Sequence, residues 1–231
     1  EIASCLVGSE MCIRDSHIPI AETNIFHIKE ALLIWQRKRD LLKVNKPVDK
    51  TEWEMSPQTV NAYYNHSQHE IVFPAAILQP PFFDSKALAA QNFGGIGAVI
   101  AHEITHGFDD SGAMFDANGN LNNWWSKDDK ERFDAKTSRL AEQFSHYEVT
   151  PHNFINGAFT LGENIADLGG VTLAYDALQI YLRDKGLNKD QDVGRIFTPD
   201  QLFFIAWARI WRTKSTPVSY THLTLPTSDL V

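Results

Sequence analysis

Val99-Ile100-Ala101-His102-Glu103-Ile104-Thr105-His106-Gly107-Phe108 is the stretch on which the reading of this chain turns. His102 and His106 stand four residues apart, and at 3.6 residues per helical turn that leaves them about 40° apart around the axis. Both imidazoles then reach one metal ion, a geometry that closes only on a helix. Glu103 is turned about 100° from His102, where its carboxylate addresses a water near the metal without being a ligand. Its expected role is general base, accepting the proton as the water attacks a carbonyl and returning it to the leaving amine. The competing reading is two histidines and a glutamate on an ordinary exposed helix. Val99, Ile100, Ala101 and Ile104 speak against it: they are expected to bury their surroundings, where an unpaired Glu-His pair is costly.

Upstream of the histidines, Gly94, Gly95 and Gly97 allow close packing, and the segment from about Phe93 to Phe108 is apolar nearly all round. That pattern predicts a buried helix. Downstream, Leu161-Gly162-Glu163-Asn164-Ile165-Ala166-Asp167-Leu168-Gly169-Gly170 places two carboxylates four apart, on one face of a second helix. A catalytic zinc site takes three protein ligands, so Glu163 is the candidate third beside His102 and His106. Asp167 then accepts the free ring N–H of a ligand histidine and fixes its tautomer. Two acids at this spacing are more often a solvated helix face. The glycine-flanked, apolar setting and the upstream histidines reverse that expectation. The implied cofactor is one Zn2+ ion.

The run from Val99 to Asp110, taken with Gly162 to Gly170, resembles the neprilysin family of zinc endopeptidases, which includes the endothelin-converting enzymes and bacterial relatives. The resemblance extends over roughly Asp40 to Pro217. It implies that His102, His106 and Glu163 bind zinc, that Glu103 is the base and that Asp167 steadies a histidine ligand. It also implies a substrate contact: Asn61-Ala62-Tyr63 looks like the strand of the family that holds an extended peptide, with the Asn61 side chain and the Ala62 carbonyl orienting it. Asp109 and Asp110 are either partners of the site or a turn after the helix, and the sequence does not choose between them.

The resemblance further implies a histidine that stabilises the oxyanion and an arginine that contacts the substrate backbone, both beyond the last tryptophan-rich helix. Neither is expected within this length of chain, and His222 is not given the role. Losing an oxyanion stabiliser costs a factor of about 10² to 10³ in rate, so this piece is expected to be weakly active or inactive as a peptidase. The rival readings are a zinc aminopeptidase of another family with the same histidine motif, and a non-catalytic zinc-binding fragment. The aminopeptidase reading lacks a GxMEN-type motif here.

Farther out, residues 24–44 carry apolar side chains at roughly helical spacing among lysines and arginines, predicting an amphipathic helix that ends before Asn45-Lys46-Pro47. Val60 to Tyr64 and Glu70 to Phe73 read as the strands of a hairpin, with Pro74 ending the second. A turn-rich loop from Asp109 to Asn123 leads to a charged helix from about Lys127 to His146, capped by Ser126. A loop follows around Pro151 to Gly157, then a helix from about Gly162 to Lys185 and a last one after Pro199. The expected fold is mainly α with a small β-sheet, an α+β zincin or thermolysin-like catalytic domain, truncated.

Composition bounds the rest. An apolar fraction of 43% in 231 residues reads as one globular domain. The formal charge of −8 argues against nucleic acid as a partner. No apolar run is long enough to span a membrane; the expected partners, implied by the resemblance, are peptide substrates, with oligomeric state left open. Both cysteines, Cys5 and Cys12, lie near the start. Residues 1–16 and 218–231 resemble translated sequencing-adapter read-through and are expected to be foreign to the fold, leaving 17–217 as a partial catalytic domain. The resemblance implies disulfide-rich ectodomains in eukaryotic members, so the cysteine-free remainder looks bacterial and leaves periplasm, cell surface or cytoplasm open.

Overall fold

The computed structural model describes residues 24–47, 49, 51–187 and 196–213. The terminal segments 1–16 and 218–231 therefore lie outside the described residues. The chain divides into two compact units, residues 1–59 and 60–231.

The first unit contributes helix α1, Ile25–Lys43. Asn24 caps it by accepting from the N–H of Phe26 at 2.9 Å, satisfying one of the orphan donors of the first turn. The helix forms as its spacing predicts, but no residue of it is buried. Ile28, Trp35 and Arg39 make a half-buried stripe, while Leu41 and Leu42 are exposed. Arg39 and Lys43 both pair with Glu52.

The second unit is built around the helix that carries the two histidines. Its entry is the antiparallel hairpin of β1, Tyr63–Asn65, and β2, Glu70–Val72, with Tyr63 opposite Val72 and Asn65 opposite Glu70. Pro74 follows after Phe73, lacking the N–H that would continue the ladder. A short helix α2, Ala89–Asn92, runs into one turn of π-helix at Phe93–Gly97 and then into α3, Ala98–His106. The single buried helix expected over Phe93 to Phe108 is therefore broken at its glycines. Gly95 leaves helical geometry, and the N–H of Ile96 donates to Phe82 O at 2.8 Å. Close approach is the reason for the glycines: a Cβ on Gly95 would lie 2.4 Å from Phe82 O, and one on Gly94 would lie 2.1 Å from Phe203 O.

After α3 the chain loops to α4, Lys127–Ser145, where Ser126 accepts from the N–H of Asp129 as the predicted cap. The segment read as plain loop near Pro151 contains a second hairpin, β3 Glu148–Thr150 with β4 Asn153–Phe154. Its turn places His152 at φ 66°, where glycine or asparagine ordinarily signals such a turn. A histidine there gives no such signal. Helix α5, Leu161–Asp184, buries Ala166, Gly170, Ala174, Leu178 and Leu182. These recur every fourth residue and form one stripe. Helix α6, Pro199–Ile210, begins with Pro199 after a reciprocal cap between Thr198 and Gln201.

Two apolar clusters flank α3. Ala98 and Ala101 pack with Ala90, Ala174, Leu178, Leu182 and Phe203. Val99 packs with Ala62, Ile77, Ile96 and Ile210. The expectation that Ile100 and Ile104 also bury the helix is corrected: they are 38% and 44% exposed. These two lie one turn apart on the same side, away from both clusters. Ile104 opens onto an apolar cleft shared with Phe108, Phe133, Leu140 and Leu168. Among the described residues no helix is long and apolar enough to cross a membrane. The mainly helical architecture with small antiparallel pairs agrees with the expected fold class.

Candidate metal centre

Helix α3 presents His102 and His106 side by side, their rings perpendicular at 87° and their Nε2 atoms 2.9 Å apart. Glu163, in the first turn of α5, brings Oε2 to 3.4 Å from His102 Nε2 and 3.6 Å from His106 Nε2. The two helices come this close because α5 carries glycine where they cross. A Cβ on Gly170 would meet Ala98 O and His102 N at 2.8 Å, and one on Gly169 would meet the Thr105 side chain at 2.6 Å.

Each histidine is held from behind by a carboxylate. His102 Nδ1 lies 2.9 Å from Asp167 Oδ1, and His106 Nδ1 lies 2.8 Å from Asp109 Oδ2. Carboxylates accept, so both Nδ1 atoms carry a proton, and each ring in its neutral form turns the Nε2 lone pair inward. Two lone pairs and a carboxylate oxygen converging on one point repel unless a cation or proton lies between them. His102, His106 and Glu163 are the one group among the described residues that qualifies as a metal cluster. Donors at about 2.0–2.1 Å from a tetrahedral zinc stand about 3.3 Å apart, so the residues present fit that ion.

The electrostatics follow from this crowding. Burial disfavours a charged His102, yet the hydrogen bonds it donates to Asp167 and Glu163 outweigh it and raise its pKa to about 10. Glu103 is only 5% exposed, and its Oε2 is buried with no hydrogen-bond partner. Burial pushes its pKa up, the neighbouring histidines pull it down, and Glu163 adds repulsion. Asp109 is also buried, which alone would raise its pKa. The rings of His106 and His66 and the N–H of Gly112 prevail, holding it well below the usual carboxylate range.

Asp109, which the sequence left as partner or turn, is both. Its Oδ2 takes His106, while Oδ1 accepts from the N–H groups of Ser111 at 2.9 Å and Gly112 at 2.6 Å. The signal was its position three residues after His106, in the turn just past the end of α3. Asp110 is exposed, with its pKa raised by partial burial and by Asp109. Asn61 and Ala62 precede β1: Asn61 Oδ1 accepts from the N–H of Ala62 at 2.9 Å, and the Ala62 side chain is buried in the second cluster. β1 packs against α3, with the Tyr64 hydroxyl beside Gly107. His66, which the sequence reading passed over, lies 3.9 Å from Asp109 Oδ1 through its Nε2.

A sequence model of peptidase family M13 matches residues 61–227. The chain belongs to peptidase family M13. Its similarity to curated members bears out the neprilysin-like motifs. It is 44% identical over 187 residues to neprilysin-11 of Caenorhabditis elegans, covering 80% of this chain and 22% of that protein. It is 43% identical over 185 residues to endothelin-converting enzyme 1 of Homo sapiens, covering 80% and 24%. Among solved structures it resembles the Mycobacterium tuberculosis zinc metalloprotease Zmp1 in complex with inhibitor, at TM-score 0.72 and 52% identity over 78% of this chain and 28% of that one. PepO of Lactobacillus rhamnosis HN001 gives TM-score 0.71 and 35% identity over 87% and 30%. The chain thus spans about a quarter of the length of the curated M13 relatives it matches.

Proposed function

We propose that this chain carries the catalytic centre of a zinc-dependent metalloendopeptidase acting on peptides or oligopeptides. The observation that supports it most is the convergence of His102 Nε2, His106 Nε2 and Glu163 Oε2, with both Nδ1 atoms already committed to carboxylates. In this reading His102, His106 and Glu163 hold one zinc ion. Zinc supplies a Lewis acid that brings the pKa of a water toward neutrality and polarises a peptide carbonyl.

The protein's own groups do the rest. Glu103, buried beside both histidines and with a free carboxylate oxygen, accepts the water's proton as the carbonyl is attacked, then delivers it to the departing amine. Its raised pKa suits a group that must both take and give a proton near neutrality. Asp167 and Asp109 keep the two imidazoles in the tautomer that faces the metal. Asn61 and Ala62, leading into β1, align an extended peptide. β1 has β2 as its one strand partner among the described residues, and in this reading the peptide lies extended beside the segment that leads into it.

Chelation tests this reading. The full-length protein should cleave an N-acetylated peptide, lose that activity on dialysis against a chelator, and regain it with one equivalent of zinc. Cleavage that survives chelation, or that requires a free amino terminus, would sink the endopeptidase assignment.

A further inference from the structure

We infer that His66, in the turn of the β1–β2 hairpin, is a positioning residue of the metal centre, its Nε2–H directed at Asp109 and acting through that carboxylate on His106. The inference rests on the metal reading above and concerns a side chain which that reading does not use.

Nε2 of His66 is buried and has no hydrogen-bond partner, whereas buried ring nitrogens ordinarily find one. It faces Asp109 Oδ1 at 3.9 Å. That is longer than a hydrogen bond, and it closes through one ordered water or an advance of the hairpin turn by about 1 Å. On the far side of the same carboxylate, Oδ2 meets His106 Nδ1 at 2.8 Å. His66, Asp109 and His106 therefore form one line from the hairpin to the ring that faces the metal. An acceptor opposite Nε2 puts the His66 proton on that atom.

The ring has little freedom to turn away. Tyr64 meets it edge-on with centroids 5.0 Å apart, and Phe115 lies against it at 5.3 Å. The turn is pressed from below by the loop after α3, since a Cβ on Gly119 would come within 2.1 Å of Ser67 O and 3.2 Å of His66 O. The N–H groups of Ser111 and Gly112 already hold Oδ1; a further donor from His66 stiffens that carboxylate from the hairpin side, and with it the aim of the His106 lone pair. It also ties the proposed metal ligand to the hairpin that Asn61 and Ala62 lead into.

The test compares H66L, which fills the space without a donor, with H66Q, which restores an N–H at similar reach, both in the full-length protein. Zinc affinity is read by competition with a chromophoric chelator, and ligand field by the visible spectrum of the cobalt(II)-substituted protein. Partners directly behind a metal ligand are worth about 10- to 100-fold in metal affinity; one position farther out, H66L should weaken zinc by about 3- to 10-fold and shift the cobalt bands. H66Q should recover both, and H66L should add no loss in a D109A background. Unchanged zinc affinity in H66L overturns the inference, as does H66Q binding no better than H66L, or an additive loss in D109A. Failure of the wild type itself to bind zinc is a different result and refutes the metal reading on which the inference stands.

Discussion

Asp109 and Asp167 do one job on two histidines with different support. Asp109 is buried and anchored by two backbone N–H groups, whereas the Asp167 side chain is 39% exposed and reaches His102 from the next helix. Asp167→Ala should leave the fold intact and weaken zinc by about 10- to 100-fold, measured by chelator competition. Equal zinc affinity would show that His102 needs no partner. Protons compete at the same place. The pKa of His102 is raised from 6.5 to about 10, so without metal its proton contributes stability that is fully present below about pH 6.5 and lost as pH rises through about 10. Zinc must displace that proton. Affinity should therefore climb with pH across this window, and calorimetry in buffers of different ionisation enthalpy should report proton release near pH 8. Binding without proton release would contradict the assignment. Most of these residues were legible because the spacings from His102 to His106 and from Glu163 to Asp167 are helical facts. Asp109 was ambiguous because an acid after a helix serves turns equally well. His66 was invisible because its relation to Asp109 depends on how a hairpin turn packs against a distant loop.

Between elements, the decisive contact is α5 crossing α3. Gly170 permits it: the atoms a methyl group would strike are Ala98 O and the backbone of His102, which cannot rotate aside as a side chain would. Gly170→Ala should cost about 1–3 kcal/mol in stability and, by lifting Glu163 from the histidines, weaken zinc as well. Denaturant unfolding and metal titration of one preparation read both effects, and a variant as stable and as tight as wild type would show that the helices are not held by this approach. Helical periodicity gave the main helices, and the cap at Ser126 was legible with them, whereas the reciprocal cap at Thr198 was not read. It could not show the π turn at Phe93–Gly97, which exists because Phe82 O captures the N–H of Ile96. Nor could it place Ile100 and Ile104 outside the core, since an apolar side chain does not state which neighbour covers it.

At the scale of the molecule, the proposed metal would link parts of the chain that are far apart in sequence. Two of the proposed ligands lie on α3 and one on α5, so zinc should bind the folded state and stabilise it. At zinc 100-fold above its Kd the gain is about 2.7 kcal/mol. Thermal unfolding with and without a chelator reads it, and an unchanged midpoint would mean that zinc does not bind the folded site. The net charge of −8 suits a site that attracts a divalent cation. The measurement closest to the central claim is made on Glu103→Gln in the full-length protein, with zinc content and peptide hydrolysis determined together. The account predicts zinc retained at the wild-type level and hydrolysis reduced by about 10²- to 10⁴-fold. Hydrolysis at the wild-type rate with zinc in place would contradict it.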